Sequence, residues 1–257
     1  MSPTAAAEAT RAEVCVVACA DAWRGDGEIL ASPFGVVPVI GARLARATFA
    51  PQLLLSDGEA QLGAGVWPYG ERPPAIEGWI PFRTVFELLA NGRRHVMMMP
   101  SQIDRFGNTN ISAIGADYRR PDVQLIGVRG APGNTVNHAT SYWVPRHSRR
   151  AFVPRVDVVC GVGNDSAAAA GPAASRYHDL RVVVTDLAVL DFGGPDGSMR
   201  LVSVHPGVTR AEVEEATGFE LAGEADPPQT RLPDEEELRL IREVLDPGGA
   251  REREVAS

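Results

Sequence analysis

Two hydrophobic periods alternate along the chain. Val16, Cys19, Ala20 and Trp23 follow the i, i+3, i+4, i+7 spacing of one helix face, which predicts an amphipathic first helix over 12–23. A short β run at 27–31, a helical stretch at 36–48 and a second strand at 52–56 come next, the order of a βαβ unit. The alternation resumes at 82–91, where a helical pattern meets Gly92 as its stop, and at 95–99, where His-Val-Met-Met-Met reads as a buried strand. Apolar runs at 121–128, 155–161 and 181–190 predict further strands of the kind that a sheet covered on both faces buries. The stretch AAAAGPAA at 167–174 is short and broken by Gly and Pro, so it is expected as a surface loop.

Two capped helices close the pattern. Thr209 stands three residues before Glu212, and Asp234 precedes the acidic first turn of LPDEEELRLIREVL, with Pro247-Gly248 as its stop. Helices alternating with strands predict one α/β domain over 12–247, a mainly parallel sheet flanked by helices. On this reading residues 1–11 are a frayed N-terminus and 248–257 a polar C-terminal tail.

Charge narrows the partners. A formal net charge of -8 over 257 residues argues against nucleic acid or anionic membrane, since both reward a basic surface. A small molecule or another protein is the expected partner. The three cysteines include Cys15 and Cys19 inside an apolar helix, which fits buried core and a reducing cytoplasm better than a disulfide framework. No stretch approaches the ~20 apolar residues of a membrane span, and the first residues lack a signal-peptide core. His95, His138, His147, His178 and His205 form no H-x-x-x-H pair, so no metal is expected.

Loops leaving the carboxyl ends of strands form the ligand crevice of an open α/β sheet. Three such stretches stand out: SDGEA at 56–60, SQIDRFGN at 101–108 and GVRGAPGNTVNH at 127–138. Glycines 127, 130 and 133 permit positive φ and close backbone approach to an oxyanion. Their spacing is not G-x-G-x-x-G and no Walker lysine is present, which disfavours a nucleotide-cofactor enzyme. Arg129 either aims its guanidinium at a carboxylate or enolate oxygen, or makes a surface ion pair. Asn134, Asn137 and His138 are ligand contacts or turn formers. Glu59 can serve as base, nucleophile or positioning group, or can cap the next segment together with Asp57. Asp104 is expected to stabilise the turn that carries Asn108. The aromatic EGWIPF at 77–82 suits an intersubunit surface or a core.

Separated blocks add a resemblance. SQIDRFGNTNIS at 101–112, VVVTDLAVLDF at 182–192 and SVHPGVTRAEVEEATGFEL at 203–221 resemble, in order, the β subunit of class I coenzyme A transferases. The resemblance implies the CoA-transferase-like α/β fold and an obligate α subunit, with the active site between the chains. DGEAQ at 57–61, EGWIPF, the loop from Gly127 and DFGGPDGSMR at 191–200 are similar, within that superfamily, to the steroid ring-cleaving hydrolases. This implies hydrolytic opening of the last steroid ring of a CoA thioester in cholesterol catabolism, with coenzyme A arriving as part of the substrate and no separate cofactor. It further implies a general-base glutamate on the α chain and Arg129 as electrostatic stabiliser, and since oligomers are usually closed and symmetric, a heterotetramer is the expected assembly. Glu59, Asn108, Gly130, Gly133, Asn134, Asn137 and His138 are then candidates for the pocket. The alternative is a true transferase of the 3-oxoacid or glutaconate type, with Glu59 as its nucleophile.

Overall fold

A computed structural model describes residues 9–58 and 60–255. Nine strands make one sheet: β1 (Leu30–Pro33), β2 (Leu54–Ser56), β3 (Gln61–Gly63), β4 (Ile76–Trp79), β5 (Arg94–Met98), β6 (Ala139–Val144), β7 (Asp179–Thr185), β8 (Ala188–Asp191) and β9 (Arg200–Val204). Their spatial order is β9-β8-β7-β6-β5-β1-β2-β3-β4. The central five, from β7 to β2, run parallel, and an antiparallel pair extends each edge. Burial on both faces explains why the central strands read as continuous apolar runs rather than alternating ones.

Helices α1 (Arg11–Asp21) and α2 (Val36–Ala47) cover one face. Thr10 and Glu13 form a capping box at the start of α1, and Cys15 and Cys19 are fully buried in the core beneath it. Met97 and Trp143 point into that core, whereas Val96, Met98 and Tyr142 alternate to the opposite one. Helix α3 (Phe82–Asn91) and helix α4 (Ala131–Asn137) pack together on the second side.

Several segments differ from the sequence expectation. The run at 181–190 is an antiparallel hairpin, broken at Asp186 and Leu187, because Thr185 Oγ1 accepts from the amides of Leu187 and Ala188 and so closes a turn. The stretch at 121–128 pairs only through Val123–Gln124, in a small hairpin outside the main sheet, and its Val123 and Ile126 are exposed. Residues 155–161 make a single bridge, Gly161 to Thr109, and no strand. The stretch expected as a loop is helical, α5 (Asn164–Ala170) and α6 (Pro172–Ser175). Alanine favours helix, and Gly171 and Pro172 fall at the junction, where Pro fits the first turn of the next helix.

The capped helices follow expectation as α7 (Arg210–Ala216) and α8 (Glu235–Arg239), each with a capping box. The C-terminal segment does not. Residues 250–254 form α9 (Ala250–Glu254), whose Glu254 carboxylate accepts from the Val36 and Val37 amides at 3.0 and 2.7 Å and from Trp143 Nε1 at 3.2 Å. A residue from the far end of the chain thus caps α2, which has no side-chain cap of its own. Arg251, also in α9, reaches the buried Glu13 at 2.9 Å, and Arg242 joins it at 2.7 Å. Burial alone would raise the Glu13 carboxyl, but the Arg242 and Arg251 guanidinium groups hold it below its ordinary value. The stretch 1–8 of the expected frayed N-terminus lies outside the described residues, and Thr10 and Arg11 already belong to the first helix and its cap.

Candidate active site

The loop from Gly127 is not one continuous wall. Gly127 has φ +85° and Arg129 φ +48°, and the amide of Ala131 donates to the Val128 carbonyl at 3.1 Å. Residues 128–131 therefore make a turn with Arg129 at its second position, where a positive φ normally calls for Gly or Asn. Glycines stand on either side at 127 and 130, yet the strained position carries arginine. Its side chain is exposed, and the guanidinium has no hydrogen-bond or ion-pair partner among the described residues. Backbone strain of this kind costs about 1–3 kcal/mol and clusters at functional sites.

Gly130 and Gly133 take ordinary negative-φ conformations at the start of α4, against the expectation that all three glycines would use positive φ. A methyl group at either would meet its nearest neighbour at 3.7 Å, an ordinary contact, so space alone does not demand glycine there. Asn134 stands one turn into α4, its amide donating to the Gly130 carbonyl at 2.9 Å, whereas the seven residues of the helix put about 10 Å between its start and His138. Asn134 is buried, accepts from Arg94 Nη1 at 3.2 Å and directs its amide at the Met98 sulfur. Asn137 Nδ2 donates to the Leu89 carbonyl at 2.9 Å, fastening α4 to α3. His138 is buried beside the first residue of β6.

Asn108 belongs to a different group. Its Nδ2 donates to Asp104 and, at 2.8 Å, to Asp165; its Oδ1 accepts from Gly163 N and Ser166 Oγ, both at 2.8 Å. The turn uses this amide fully, which leaves it no donor for a ligand. Asp104 closes the same turn by accepting from the Phe106 and Asn108 amides, as its position in QIDRFGN predicted. Burial raises the Asp104 carboxyl despite these bonds. Glu59 lies outside the described residues. Its neighbour Asp57 accepts from the Ala60 and Gln61 amides at 3.1 and 3.0 Å, the capping role weighed for it.

Two features were missed or left open by the sequence. Arg94 is largely enclosed yet reaches no carboxylate among the described residues; it donates only to Ser32 Oγ at 3.2 Å and to Asn134. In the sequence it stood in a Gly-Arg-Arg-His run that showed only a strand start. The use of EGWIPF is now decided: Trp23, Trp67 and Trp143 are core, while Trp79 is 73% and Phe82 79% exposed. Helix α3 has no buried residue at all, and Ile76, Trp79, Phe82 and Phe86 stand uncovered along β4 and α3, a grouping that marks a protein or ligand contact surface.

One buried trio has the spacing of a hydrolase triad. His95 contacts Asp26 through Nδ1 at 2.6 Å and Ser141 Oγ through Nε2 at 2.8 Å. Both His95 and Ser141 are fully buried, with Trp23 packed on the imidazole, so no acyl group can reach the hydroxyl. Among the described residues no group of three or more His, Cys, Asp or Glu is placed to hold a metal ion, and no helix is long and apolar enough to cross a membrane.

The coenzyme A transferase family model matches residues 82–216, and the chain belongs to that family. Within it, the chain is 56% identical to the IpdB subunit of the cholesterol ring-cleaving hydrolase of Rhodococcus jostii, over 97% of both chains. It is equally, 56%, identical to the IpdB subunit of Mycobacterium tuberculosis, over 96% of this chain and 99% of the relative. The crystal structure of Rhodococcus jostii IpdAB superposes with a TM-score of 0.94 at 55% identity, covering 98% of this chain and 100% of the other.

Proposed function

We propose that the protein is the β subunit of a heteromeric hydrolase that opens a steroid-derived ring carried on a CoA thioester, and that Arg129 stabilises the oxygen anion formed as the ring breaks. The observation that carries the role of Arg129 is its backbone: a solvent-facing arginine, unpaired among the described residues, occupies a strained turn position that its flanking glycines could have filled. The class of reaction rests on identity to the IpdB subunits over nearly the whole chain.

In the reaction, water adds to the ring ketone, and the resulting alkoxide collapses to a carboxylic acid. The carbon–carbon bond breaks toward the thioester, its electron pair entering the enolate, which then takes a proton. No acyl-enzyme forms, so the chain needs no nucleophile, and the buried Ser141 is not asked to be one. A guanidinium preorganised beside the developing charge is worth about 3 kcal/mol, two decades in rate. The general base belongs to the α subunit. The uncovered aromatic face of β4 and α3 is where that subunit docks, and closed symmetry favours a heterotetramer of two α and two β chains. Coenzyme A enters as part of the substrate. Three free, buried thiols, Cys15, Cys19 and Cys160, suit a reducing cytoplasm.

The test is to co-express the chain with its α subunit and follow a cyclic β-ketoacyl-CoA by mass spectrometry in isotopically labelled water, without an acceptor acid. One heavy oxygen in the new carboxylate establishes the hydrolysis. A thioester that stays intact until a free acid is added, and then passes CoA to that acid, overturns the reading and makes Glu59 the nucleophile of a transferase.

A further inference from the structure

A groove opens at the end of the sheet where the central strands begin. Ile29, Arg94, Ala139 and Asp179, at or next to the first residues of β1, β5, β6 and β7, form its floor, and its volume is about 670 Å³. Arg93, Arg94, Arg176 and Arg181 line it, with His138. Arg181 is neutralised by Asp26 and Asp179. The other three arginines have no carboxylate partner among the described residues, so the groove carries net positive charge in a chain whose formal net charge is -8.

His138 supplies the second observation. Only 3% exposed, it presents a buried Nε2 with no hydrogen-bond partner among the described residues. Burial, and then the nearby Arg94 charge, hold the ring below the ordinary histidine value, which favours its neutral form. With its proton on Nε2 the neutral ring offers one more donor in want of an acceptor, beside guanidinium groups that have no counter-charge among the described residues. A carboxylate brings one negative charge and two oxygens to this cluster. A phosphate monoester, largely a dianion at neutral pH, brings three acceptor oxygens, enough to take bonds from Arg94, the rim arginines and the Nε2 N–H together.

We infer that this groove binds a phosphate monoester, at a site separated from Arg129 by the length of α4. The inference stands apart from the hydrolase reading, since it concerns binding alone. Two sources share the chemistry: the ribose phosphate of the CoA substrate and a free phosphate ester.

The assembled α/β complex is titrated calorimetrically with inorganic phosphate, then with CoA and with dephospho-CoA. Saturable phosphate binding that weakens about tenfold or more in Arg94→Gln is expected, as is the same loss in the surface double variant Arg93→Ala/Arg176→Ala, which leaves the core untouched. In nitrogen-labelled protein the His138 Nε2 resonance, identified by its loss in His138→Asn, should move on phosphate addition. Absence of saturable binding, or binding indifferent to all these substitutions, overturns the site. A preference for CoA over dephospho-CoA that disappears in the variants assigns the site to the substrate's own phosphate. Equal binding of the two, with inorganic phosphate still saturating, assigns it to a separate phosphate ester.

Discussion

His95 Nε2 lies 2.8 Å from Ser141 Oγ in the middle of the protein, where neither side chain meets solvent. Asp26 completes the spacing of a triad, and burial removes its chemistry. The trio instead ties β5, β6 and the turn after α1 together. Ser141→Ala should leave ring-opening turnover within about twofold and lower stability by about 1 kcal/mol, the usual value of one buried hydrogen bond. Steady-state kinetics and a denaturation midpoint on the same preparation decide this; a large loss of turnover with unchanged stability would make the trio catalytic after all.

Arg129 separates activity from stability. Arg129→Gly removes the guanidinium and relaxes the positive φ, so turnover should fall about a hundredfold while stability holds or rises slightly. Arg129→Lys keeps the charge and loses the planar fork, and should recover only part of the rate. Single-turnover assays beside thermal melts check both, and a variant that loses stability in step with activity would point to a folding role.

The exposed aromatic face should govern assembly. Phe82→Asp and Phe86→Asp leave this chain folded, because α3 buries no residue in its own core, and should abolish co-purification of the α subunit. Size-exclusion chromatography of the co-expressed pair reads the result. An intact complex carrying both substitutions would move the interface elsewhere.

Glu254 should matter despite its place three residues from the chain end. Glu254→Ala strands two amides at the start of α2 and the Trp143 indole N–H, for a loss of about 2 kcal/mol. Glu254→Gln, which restores one acceptor without the charge, should recover roughly half. Denaturant midpoints measure both.

Acid should weaken the fold through its buried histidines. Desolvation lowers His147 to about 3 and His205 to about 4, whereas an unfolded histidine titrates near 6.5. Below pH ~6.5 the unfolded chain binds protons that the native chain refuses, so stability is complete above that value and declines as pH falls toward the native values. Each histidine contributes a slope of up to about 1.4 kcal/mol per pH unit within this window. Unfolding midpoints measured from pH 8 to pH 5 should be flat at first and then fall, and a profile that stays flat to pH 5 would contradict the neutral, buried state of these rings.

Local chemistry was legible wherever neighbours in sequence are neighbours in space. Thr209 with Glu212, and Asp104 with the amides of Phe106 and Asn108, act across two to four residues, and their spacing announces them. The βαβ order of the first strands, the helix at 82–91 and the burial of Cys15 and Cys19 follow from period and hydrophobicity in the same way. Separated motif blocks carried the family, because three matches in one order constrain the whole chain.

Only the tertiary structure could divide one glycine-rich loop, with Arg129 in a strained turn before α4 and His138 in a groove beyond it. It alone showed that Asn108 is consumed by its own turn, that Arg94 lacks a counter-charge among the described residues, that Trp79 faces outward while the other tryptophans face inward, and that Glu254 caps a helix more than two hundred residues earlier in the chain. Sequence period reports which side of an element is apolar. What covers that side, and which donor lacks an acceptor, depends on contacts between residues far apart in the chain, and those are set when the sheet assembles.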